Sequence, residues 1–211
     1  MAADLKTIAD KLIAGKANDV KMLVQQALDA GAEPKDVLDK GLIAGMNEVG
    51  RRFKNNEFYV PEVLIAARAM HYGMEVLQPR LTAAGVKSVA KAAIGTVKGD
   101  LHDIGKNLVS MMLRGAGFEV QDLGVDVAIE KFVESAKSGT QVICLSALLT
   151  TTMPQMAKVV EGLKAAGVKD VKVMIGGAPV TQKYADEIGA DGYAPDAASA
   201  VDEAKRLLAL K

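Results

Sequence analysis

The sequence is poor in the residues that build several common kinds of functional site. It has one cysteine and two histidines, so it forms no internal disulfide and cannot supply the four Cys and His ligands of a structural zinc site. Acidic and basic residues balance at 26 each, without the positive excess typical of a nucleic-acid binder. No apolar run approaches the roughly 20 residues of a membrane-spanning helix, and the first segment, MAADLKTIADKLIAG, lacks the pattern of a signal peptide. We therefore expect a cytoplasmic protein with no nucleic-acid or membrane partner.

Helical periodicity runs through the first part of the chain, up to about residue 84. Four amphipathic segments follow one another there, joined by short turns, and they begin near positions 4, 19, 33 and 59. Pro61 suits the first turn of the fourth segment, whereas Pro79 marks a kink or an approaching end. The pattern predicts a small four-helix bundle, and we place this domain at residues 1–86.

The pattern changes after the linker near residues 83–90, where short β-rich runs begin to alternate with helical stretches. The runs are AKAAIGTV (90–97), FEVQDLG (118–124), QVICLSA (141–147), VKVMIGG (171–177) and DGYA (191–194). Strand–helix alternation predicts a parallel sheet with helices on both faces. Residues 87–211 are therefore predicted to form an α/β domain of the flavodoxin or Rossmann-like type, with five strands in the order 2-1-3-4-5.

That strand order places a ligand crevice between the carboxyl ends of strands 1 and 3. The loop after strand 1 reads KGDLHDIGKN and contains His102 between two aspartates, while the loop after strand 3, CLSALLTTTM, carries a Ser/Thr cluster. The loop after strand 4, IGGAP, adds two glycines, which allow a ligand to lie close to the backbone. We expect the first two of these loops to face one another across the crevice.

The loop after strand 1 does not fit the common phosphate-binding motifs. Gly99 and Gly105 are one residue too far apart for a Walker A motif, and a G-x-G-x-x-G fingerprint is absent. From the residues alone, His102 is a metal ligand, a general base or an ordinary loop residue. The first of these interpretations matches the arrangement in which a metal-bound imidazole donates its other N–H to a carboxylate, here Asp100.

Three motifs in these loops resemble those of the cobalamin-binding module of corrinoid-dependent methyltransferase systems, including cobalamin-dependent methionine synthase. The family pattern is DxHxxG, then SxL, then GG. In this sequence it reads Asp100-Leu101-His102-Asp103-Ile104-Gly105, then Ser146-Ala147-Leu148, then Gly176-Gly177. The predicted N-terminal bundle is similar to the cap domain of that family, so the resemblance covers nearly the whole chain.

The resemblance implies that His102 is the lower axial ligand of cobalt in a bound cobalamin or related corrinoid, in place of the cofactor's own base. It also implies that Asp100 accepts the imidazole N–H and that the hydroxyl of Thr152 completes a His–Asp–hydroxyl relay. The family often has Ser at the position of Thr152. The alternative is that Thr152 caps the helix that follows it.

The other cofactor-binding positions implied by the resemblance lie along the crevice or on the cap. Those of the crevice are Asp103, Ile104, Gly105, Ser146, Leu148, Thr150, Gly176, Gly177, Tyr193 and Ala194, and those of the cap, over the upper face of the corrin, are Tyr59 and Val63. Plainer alternatives remain for some of them. Asp103 also suits the start of a helix, the glycine pair also suits a turn, and the two cap residues also suit a bundle core.

The resemblance implies a protein that carries a methyl group on cobalt in one-carbon metabolism, between the methylcobalamin and cob(I)alamin states. Its implied partners are a substrate-specific methyltransferase, a second methyltransferase that serves a folate or thiol acceptor, and a reductive activase. Because no barrel-sized domain for a methyl donor is present, we expect no complete reaction without partners. Two alternatives share the module: the binding subunit of an adenosylcobalamin mutase, which usually lacks such a cap, and a cobalamin-sensing regulator, which needs a DNA-binding segment.

Overall fold

The structure is a computed structural model, and it describes residues 4–210. Residues 1–3 and 211, at the outer ends of the two predicted domains, lie outside the described residues. The chain divides into two compact units, one with the residues up to Val89 together with Gly115–Gly117, the other with Ala90–Arg114 and the residues from Phe118 onward. The domain limits 1–86 and 87–211 remain predictions.

The N-terminal unit is built from helices. They are α1 (Leu5–Ile13), α2 (Ala17–Asp29), α3 (Pro34–Asp36), a π-helical segment (Val37–Ile43), α4 (Ala44–Lys54) and α5 (Val60–Ala83). The four segments seen in the sequence therefore form four helical stretches, and the third changes from α to π geometry and back. The core of this unit is a set of apolar side chains at helical spacing that includes Ile8, Leu12, Val20, Val24, Leu42, Met46 and Leu77.

The two prolines of α5 have different surroundings. Pro61 lies in the first turn, where its missing N–H costs no helical hydrogen bond, and Glu62 accepts a hydrogen bond from the backbone N–H of Tyr59 at 2.9 Å. Pro79 lies inside the helix, which continues past it and ends at Ala83. Pro79 thus marks the last turns of α5, in agreement with the approaching end predicted from the sequence.

The second unit contains a five-stranded parallel sheet in the order β2-β1-β3-β4-β5, which confirms the predicted topology. Its strands are β1 (Lys91–Val97), β2 (Glu119–Val127), β3 (Val142–Ser146), β4 (Lys172–Gly176) and β5 (Gly192–Ala194). Its helices are α6 (Ile104–Gly115), α7 (Ile129–Lys137), α8 (Pro154–Ala165), α9 (Gln182–Ile188) and α10 (Ala197–Leu207). Consecutive residues of β1 and β3 are buried, as helices on both faces require.

The strand β2 is longer and less regular than the sequence predicts. It continues to Val127, and its register with β1 shifts twice, because Ile94 and Gly95 pair with Asp122 and Gly124, and Val97 then pairs with Val127. At each shift β2 has one residue more than β1, as in a β-bulge. These bulges prove important for the site described below.

The single cysteine, Cys144, lies in β3 and is 4% exposed. Burial raises the pKa of its thiol to about 12, so it behaves as a small buried hydrophobe. Within residues 4–210, no helix combines the length and hydrophobicity that crossing a bilayer requires.

Candidate functional site

The loops after β1 and β3 are joined at the carboxyl end of the sheet. The last residue pair between these strands is Thr96 with Ser146. Just beyond it, the carboxylate of Asp100 accepts hydrogen bonds from the backbone N–H groups of Leu148 at 2.8 Å and Leu149 at 3.3 Å. The two loops therefore meet at the predicted crevice, and a buried carboxylate connects them.

Asp100 is fully buried, and its carboxylate acts as a hydrogen-bond acceptor for several groups at once. Oδ1 accepts from the backbone N–H of His102 at 3.1 Å and lies 2.8 Å from Nδ1 of the same residue. Oδ2 lies 2.8 Å from the hydroxyl oxygen of Thr152, in addition to the two N–H groups of the second loop. Burial raises the pKa of the Asp100 carboxyl, but the hydrogen bonds from His102, Leu148 and Thr152 outweigh it and hold that pKa well below its ordinary value.

The ionised state of Asp100 determines the tautomer of His102. An ionised carboxylate only accepts hydrogen bonds, so Nδ1 carries the proton and Nε2 keeps a free lone pair. The imidazole side chain is 51% exposed, and within residues 4–210 Nε2 has no hydrogen-bond partner. The hydroxyl of Thr96 donates to the backbone carbonyl of His102 at 2.8 Å, which fixes the backbone while the ring faces outward. This is the geometry of an imidazole prepared to bind a metal.

The protein offers few other ligands for such a metal. In the described part of the chain, no group of three or more His, Cys, Asp and Glu side chains could hold a metal ion. A metal at His102 must therefore bring most of its ligands with it, as a metal in a macrocycle does. The residues present fit a corrinoid, which would supply the remaining ligands of its own metal and which His102 would hold through Nε2.

The surface around His102 also suits a flat, partly apolar ligand. Gly105 has no positive φ and no atom within 4 Å of the place where a Cβ would lie, so the protein's own packing gives no reason for a glycine there. Large apolar side chains around it are exposed, namely Leu101 at 72%, Ile104 at 78%, Leu148 at 43% and Leu149 at 41%. An exposed apolar patch next to a prepared metal ligand indicates a binding surface.

Thr152 is buried in the turn before α8. Its hydroxyl oxygen lies 2.8 Å from Asp100 and 2.9 Å from the carbonyl oxygen of Leu149, so its one proton is donated to either acceptor. The N-cap of α8 is Met153, without a side-chain hydrogen bond, so Thr152 is not the cap of that helix. The capping alternative is therefore wrong, and the contact with Asp100 is the one that the relay requires.

Asp103 takes part in the start of α6. Its carbonyl accepts a hydrogen bond from the backbone N–H of Asn107 at 2.7 Å, and its carboxylate accepts one from the side-chain amide of Asn107 at 3.0 Å. These bonds favour the helix-start interpretation of Asp103. Ile104, at the first position of α6, is exposed.

The glycine pair lies at the end of β4, where backbone segments approach one another closely. Gly177 has φ of +132°, and a Cβ there would lie 1.9 Å from the carbonyl oxygen of Ala147. A Cβ on Gly176 would lie 3.1 Å from the carbonyl oxygen of Ala194. The close approach of backbone to backbone explains both glycines, in agreement with the plainer interpretation, although both remain at the edge of the crevice.

The remaining crevice residues lie at the ends of adjacent strands. Ser146 pairs with Gly176, and Gly176 with Ala194, so the sheet brings these three into one row. Tyr193, next to Ala194, is half-buried, and Thr150 is exposed in the loop after β3. The structure therefore gathers these residues at the same edge, and their contact with a cofactor stays a prediction.

The two predicted cap residues differ. Val63 is fully buried, so its predicted place over a corrin face is not supported, and it is a core residue. Tyr59 is 63% exposed, and three further apolar side chains near the start of α5 are also exposed. They are Val60, Leu64 and Ile65. These residues, rather than Val63, are the ones that α5 offers to a ligand.

Two interactions at this edge had no signal in the sequence pattern. Asp126 donates its backbone N–H to the carbonyl of Asp100 at 3.0 Å, and its carboxylate accepts from the N–H of Gly99 at 2.7 Å. Lys106, whose side chain is only 3% exposed, places Nζ 2.7 and 2.6 Å from the carboxylate oxygens of Asp122. The predicted β2 ended at Gly124, so the bulges that present these aspartates were not foreseen.

Comparisons with known proteins find matches for both parts of the chain. Residues 90–202 match a family model described as a B12 binding domain, and residues 5–78 match a second model with the same description. The chain is 47% identical over 208 residues to the dimethylamine corrinoid protein of Methanosarcina barkeri, covering 97% of each. It is 48% identical over 190 residues to the trimethylamine corrinoid protein of that organism, covering 88% of each. The solved methanol:cobalamin methyltransferase complex of Methanosarcina barkeri matches with a TM-score of 0.86 and 32% identity, over 96% of this chain and 78% of that one.

Proposed function

The chain belongs to the family of B12-binding corrinoid proteins, and from that premise we propose that it binds its corrinoid through His102 and carries a methyl group between two methyltransferases. The observation that supports this most directly is the pairing of His102 with Asp100, which leaves Nε2 unpartnered beside an exposed apolar patch. When bound, the corrinoid supplies a cobalt centre that accepts and gives up a methyl group. The chain's own residues control the imidazole that faces this centre.

The side chains of His102 and Thr152 are linked through the carboxylate of Asp100. Asp100 holds the proton of Nδ1, so Nε2 is presented with its lone pair outward. Because the hydrogen bonds of Asp100 keep its pKa low, the carboxylate stays ionised and accepts the Nδ1 proton of the imidazole. Thr152 contributes one of these hydrogen bonds and so helps to keep the carboxylate ionised.

The nucleotide tail of the corrinoid is proposed to enter the crevice between the loops after β1 and β3. Gly105 supports this placement best, because the open space beside it has no use within the protein. Ser146, Leu148 and the row formed by Gly176 and Ala194 are proposed to line the same crevice. Tyr59, which is exposed on α5, is kept as a proposed cofactor-binding residue.

A methylamine is the proposed source of the methyl group, acting through a substrate-specific methyltransferase. The support is the identity of 47–48% to the dimethylamine and trimethylamine corrinoid proteins, against 32% to the chain from the methanol complex. The second methyltransferase, which serves a thiol or folate acceptor, and a reductive activase complete the proposed set of partners. The match to corrinoid proteins over nearly the full chain supports a carrier over a mutase subunit or a regulator.

Methylation of the loaded protein tests the proposal. The protein is loaded with hydroxocobalamin, reduced, and mixed with a candidate methyltransferase and 13C-methyl-labelled dimethylamine, trimethylamine or methanol. We expect the label to appear on the corrinoid with a methylamine and its enzyme, and to leave when a thiol and the second enzyme are added. If the loaded protein accepts label from none of these donors, although a related carrier does so in the same assay, the proposed function is wrong.

A further inference from the structure

We propose that the irregular edge strand β2 is a two-point clamp for the His102 loop, with Asp126 and Asp122 as its positioning residues. The clamp holds the beginning of the loop through Asp126 and its end, at the first turn of α6, through Asp122. Neither aspartate lies within the three motifs that carry the family resemblance. The inference deepens the proposed function, because the loop that is held is the one that presents the proposed ligand.

The first point of the clamp immobilises the peptide groups on both sides of Asp100. The N–H of Asp100 donates to the carbonyl of Val97 at 3.1 Å, and its carbonyl accepts from the N–H of Asp126 at 3.0 Å. The carboxylate of Asp126 accepts from the N–H of Gly99 at 2.7 Å. With these bonds in place the backbone of Asp100 cannot rotate, so its carboxylate meets the imidazole of His102 in one position.

The backbone of Asp126 is held in an uncommon conformation to make these bonds. Its φ is +51°, in the left-handed region, which is disfavoured for residues other than glycine. Glycine would adopt this φ freely but has no carboxylate for the N–H of Gly99. Aspartate tolerates the left-handed region better than most residues and supplies the acceptor. The choice of residue therefore fits a task at the loop rather than the regularity of the strand.

The second point of the clamp is an ion pair between a buried lysine and a partly exposed aspartate. Nζ of Lys106 lies 2.7 and 2.6 Å from the two carboxylate oxygens of Asp122, and also 2.6 Å from the amide oxygen of Asn107. The N–H of Gly124 donates to Asp122 at 2.9 Å, across the first bulge of β2. A buried cation in the first turn of a helix is disfavoured by the helix dipole, so Lys106 needs the charge of Asp122.

The two bulges give the clamp its spacing. One extra residue of β2 follows Asp122, and a second lies between Gly124 and Val127, where Asp126 is found. In a regular strand Asp122 and Asp126, four residues apart, would already face the same side of the sheet, so the bulges add length to β2 relative to β1 between the two contacts. The loop is held at residues 99–100 and at residue 106, on either side of His102 in the sequence.

Substitutions at Asp126 test the first point of the clamp. Asp126→Asn keeps an oxygen for the N–H of Gly99, Asp126→Ala removes it, and Asp126→Gly removes it while relieving the disfavoured φ. Glu130→Ala, which removes an exposed acid at the start of α7, is the matched control. The first readout is the Nδ1–H resonance of His102 in 15N-labelled protein without corrinoid. The second is the affinity for hydroxocobalamin.

We expect Asp126→Ala and Asp126→Gly to broaden or lose the Nδ1–H resonance and to weaken hydroxocobalamin binding about tenfold, the size usual for a residue that supports a metal ligand. Asp126→Asn and Glu130→Ala should keep the resonance and bind within about twofold of wild type. Equal behaviour of Asp126→Ala and Glu130→Ala would overturn the proposal, and so would an equal loss in Asp126→Ala and Asp126→Asn. Asp126→Gly relieves the disfavoured φ, so we expect it to stay folded while the resonance is broadened or lost and the affinity falls. Thermal denaturation checks that it is folded.

The resonance measurement requires no corrinoid and no methyl donor, so its outcome is independent of whether the protein carries methyl groups.

For the second point of the clamp, Lys106→Met, Asp122→Asn and the double variant are compared. Asp122→Asn leaves the buried ammonium of Lys106 without its charged partner, and the double variant relieves this cost. We expect the double variant to regain stability but not the sharp Nδ1–H resonance. Recovery of both would reduce the ion pair to a structural role and overturn its place in the clamp.

Discussion

Nδ1 of His102 lies 2.8 Å from Oδ1 of Asp100, while Oδ2 of the same carboxylate accepts hydrogen bonds from the loop after β3. One buried side chain therefore joins two loops that are 48 residues apart in sequence and selects the imidazole nitrogen that faces outward. The properties of the site depend on this carboxylate more than on any other group.

Replacement of His102 by Ala should abolish the spectrum of histidine-ligated corrinoid and leave the fold unchanged, since the ring is half-exposed and supports no core packing. His71→Ala is the matched control, because His71 is 72% exposed on α5 and pairs only weakly with Glu75 at 3.4 Å. The measurement is the UV–visible spectrum of each protein with hydroxocobalamin. A histidine-ligated spectrum that persists in the first variant would contradict the assignment of His102.

Replacement of Asp100 by Asn should lower stability at neutral pH and have less effect in acid. The native pKa of Asp100 is depressed, so its ionised form contributes stability above its ordinary pKa of about 4, and this contribution is lost as the pH falls through the native value. We expect Asn to cost roughly 1–3 kcal/mol at pH 7, because the amide cannot accept from all the donors that face it. Urea unfolding at pH 7 and below pH 4 measures this cost.

The expected pH dependence has a direct control. Glu130→Gln removes an exposed carboxyl and should change the free energy of unfolding little at either pH. A cost of Asp100→Asn that stayed constant from pH 7 into acid would show that the charge of Asp100 is not what stabilises the two loops.

Thr152→Val should weaken the connection between the loops, whereas Thr152→Ser should preserve it. Valine has the shape of threonine but leaves Asp100 without one of its donors, and we expect a loss of about 1 kcal/mol or more. Serine keeps the hydroxyl. The neighbouring Thr151 is exposed, so Thr151→Val is the control and should be nearly neutral. The free energies of unfolding of the three variants decide this prediction, and equal values for the two valine variants would refute it.

Gly105→Ala should separate cofactor binding from folding. No protein atom lies near the added methyl group, and alanine favours a helix, so the protein without corrinoid should be more stable by up to about 1 kcal/mol. The same methyl group should weaken hydroxocobalamin binding about tenfold by filling space meant for the ligand. Thermal unfolding and a binding titration give the two quantities.

Gly177→Ala is the matched contrast to Gly105→Ala. Its φ of +132° and the 1.9 Å approach to Ala147 should destabilise the protein whether or not a corrinoid is present. If the two alanine variants lost binding and stability in the same proportion, the open space at Gly105 would not be a ligand site.

The sheet and the place of the site were predictable because they follow from local patterns. Alternating β-rich and helical runs led to the five strands and their order, and that order alone brought the loop of Asp100 and His102 against the loop of Thr152.

Other features depend on tertiary packing that no local pattern encodes. Val63 has the same apolar character as its exposed neighbour Val60, and only the packing of α5 decides which of them is buried. The bulges of β2 are absent from the hydrophobic alternation, so Asp126 was hidden beyond the predicted end of the strand. Gly177 matched a ligand-binding motif although the backbone of Ala147 already requires a glycine there.

The burial of the Cys144 thiol protects it from methylation in the proposed reaction. A protein that handles a transferable methyl group must not become its acceptor, and a thiolate is the strongest nucleophile that side chains offer. Burial raises the pKa of Cys144 to about 12, so its thiol stays protonated at pH 7, and the sheet covers it. We expect the intact mass of the polypeptide to remain constant through many rounds of methylation, so that the methyl group has no destination within its own carrier.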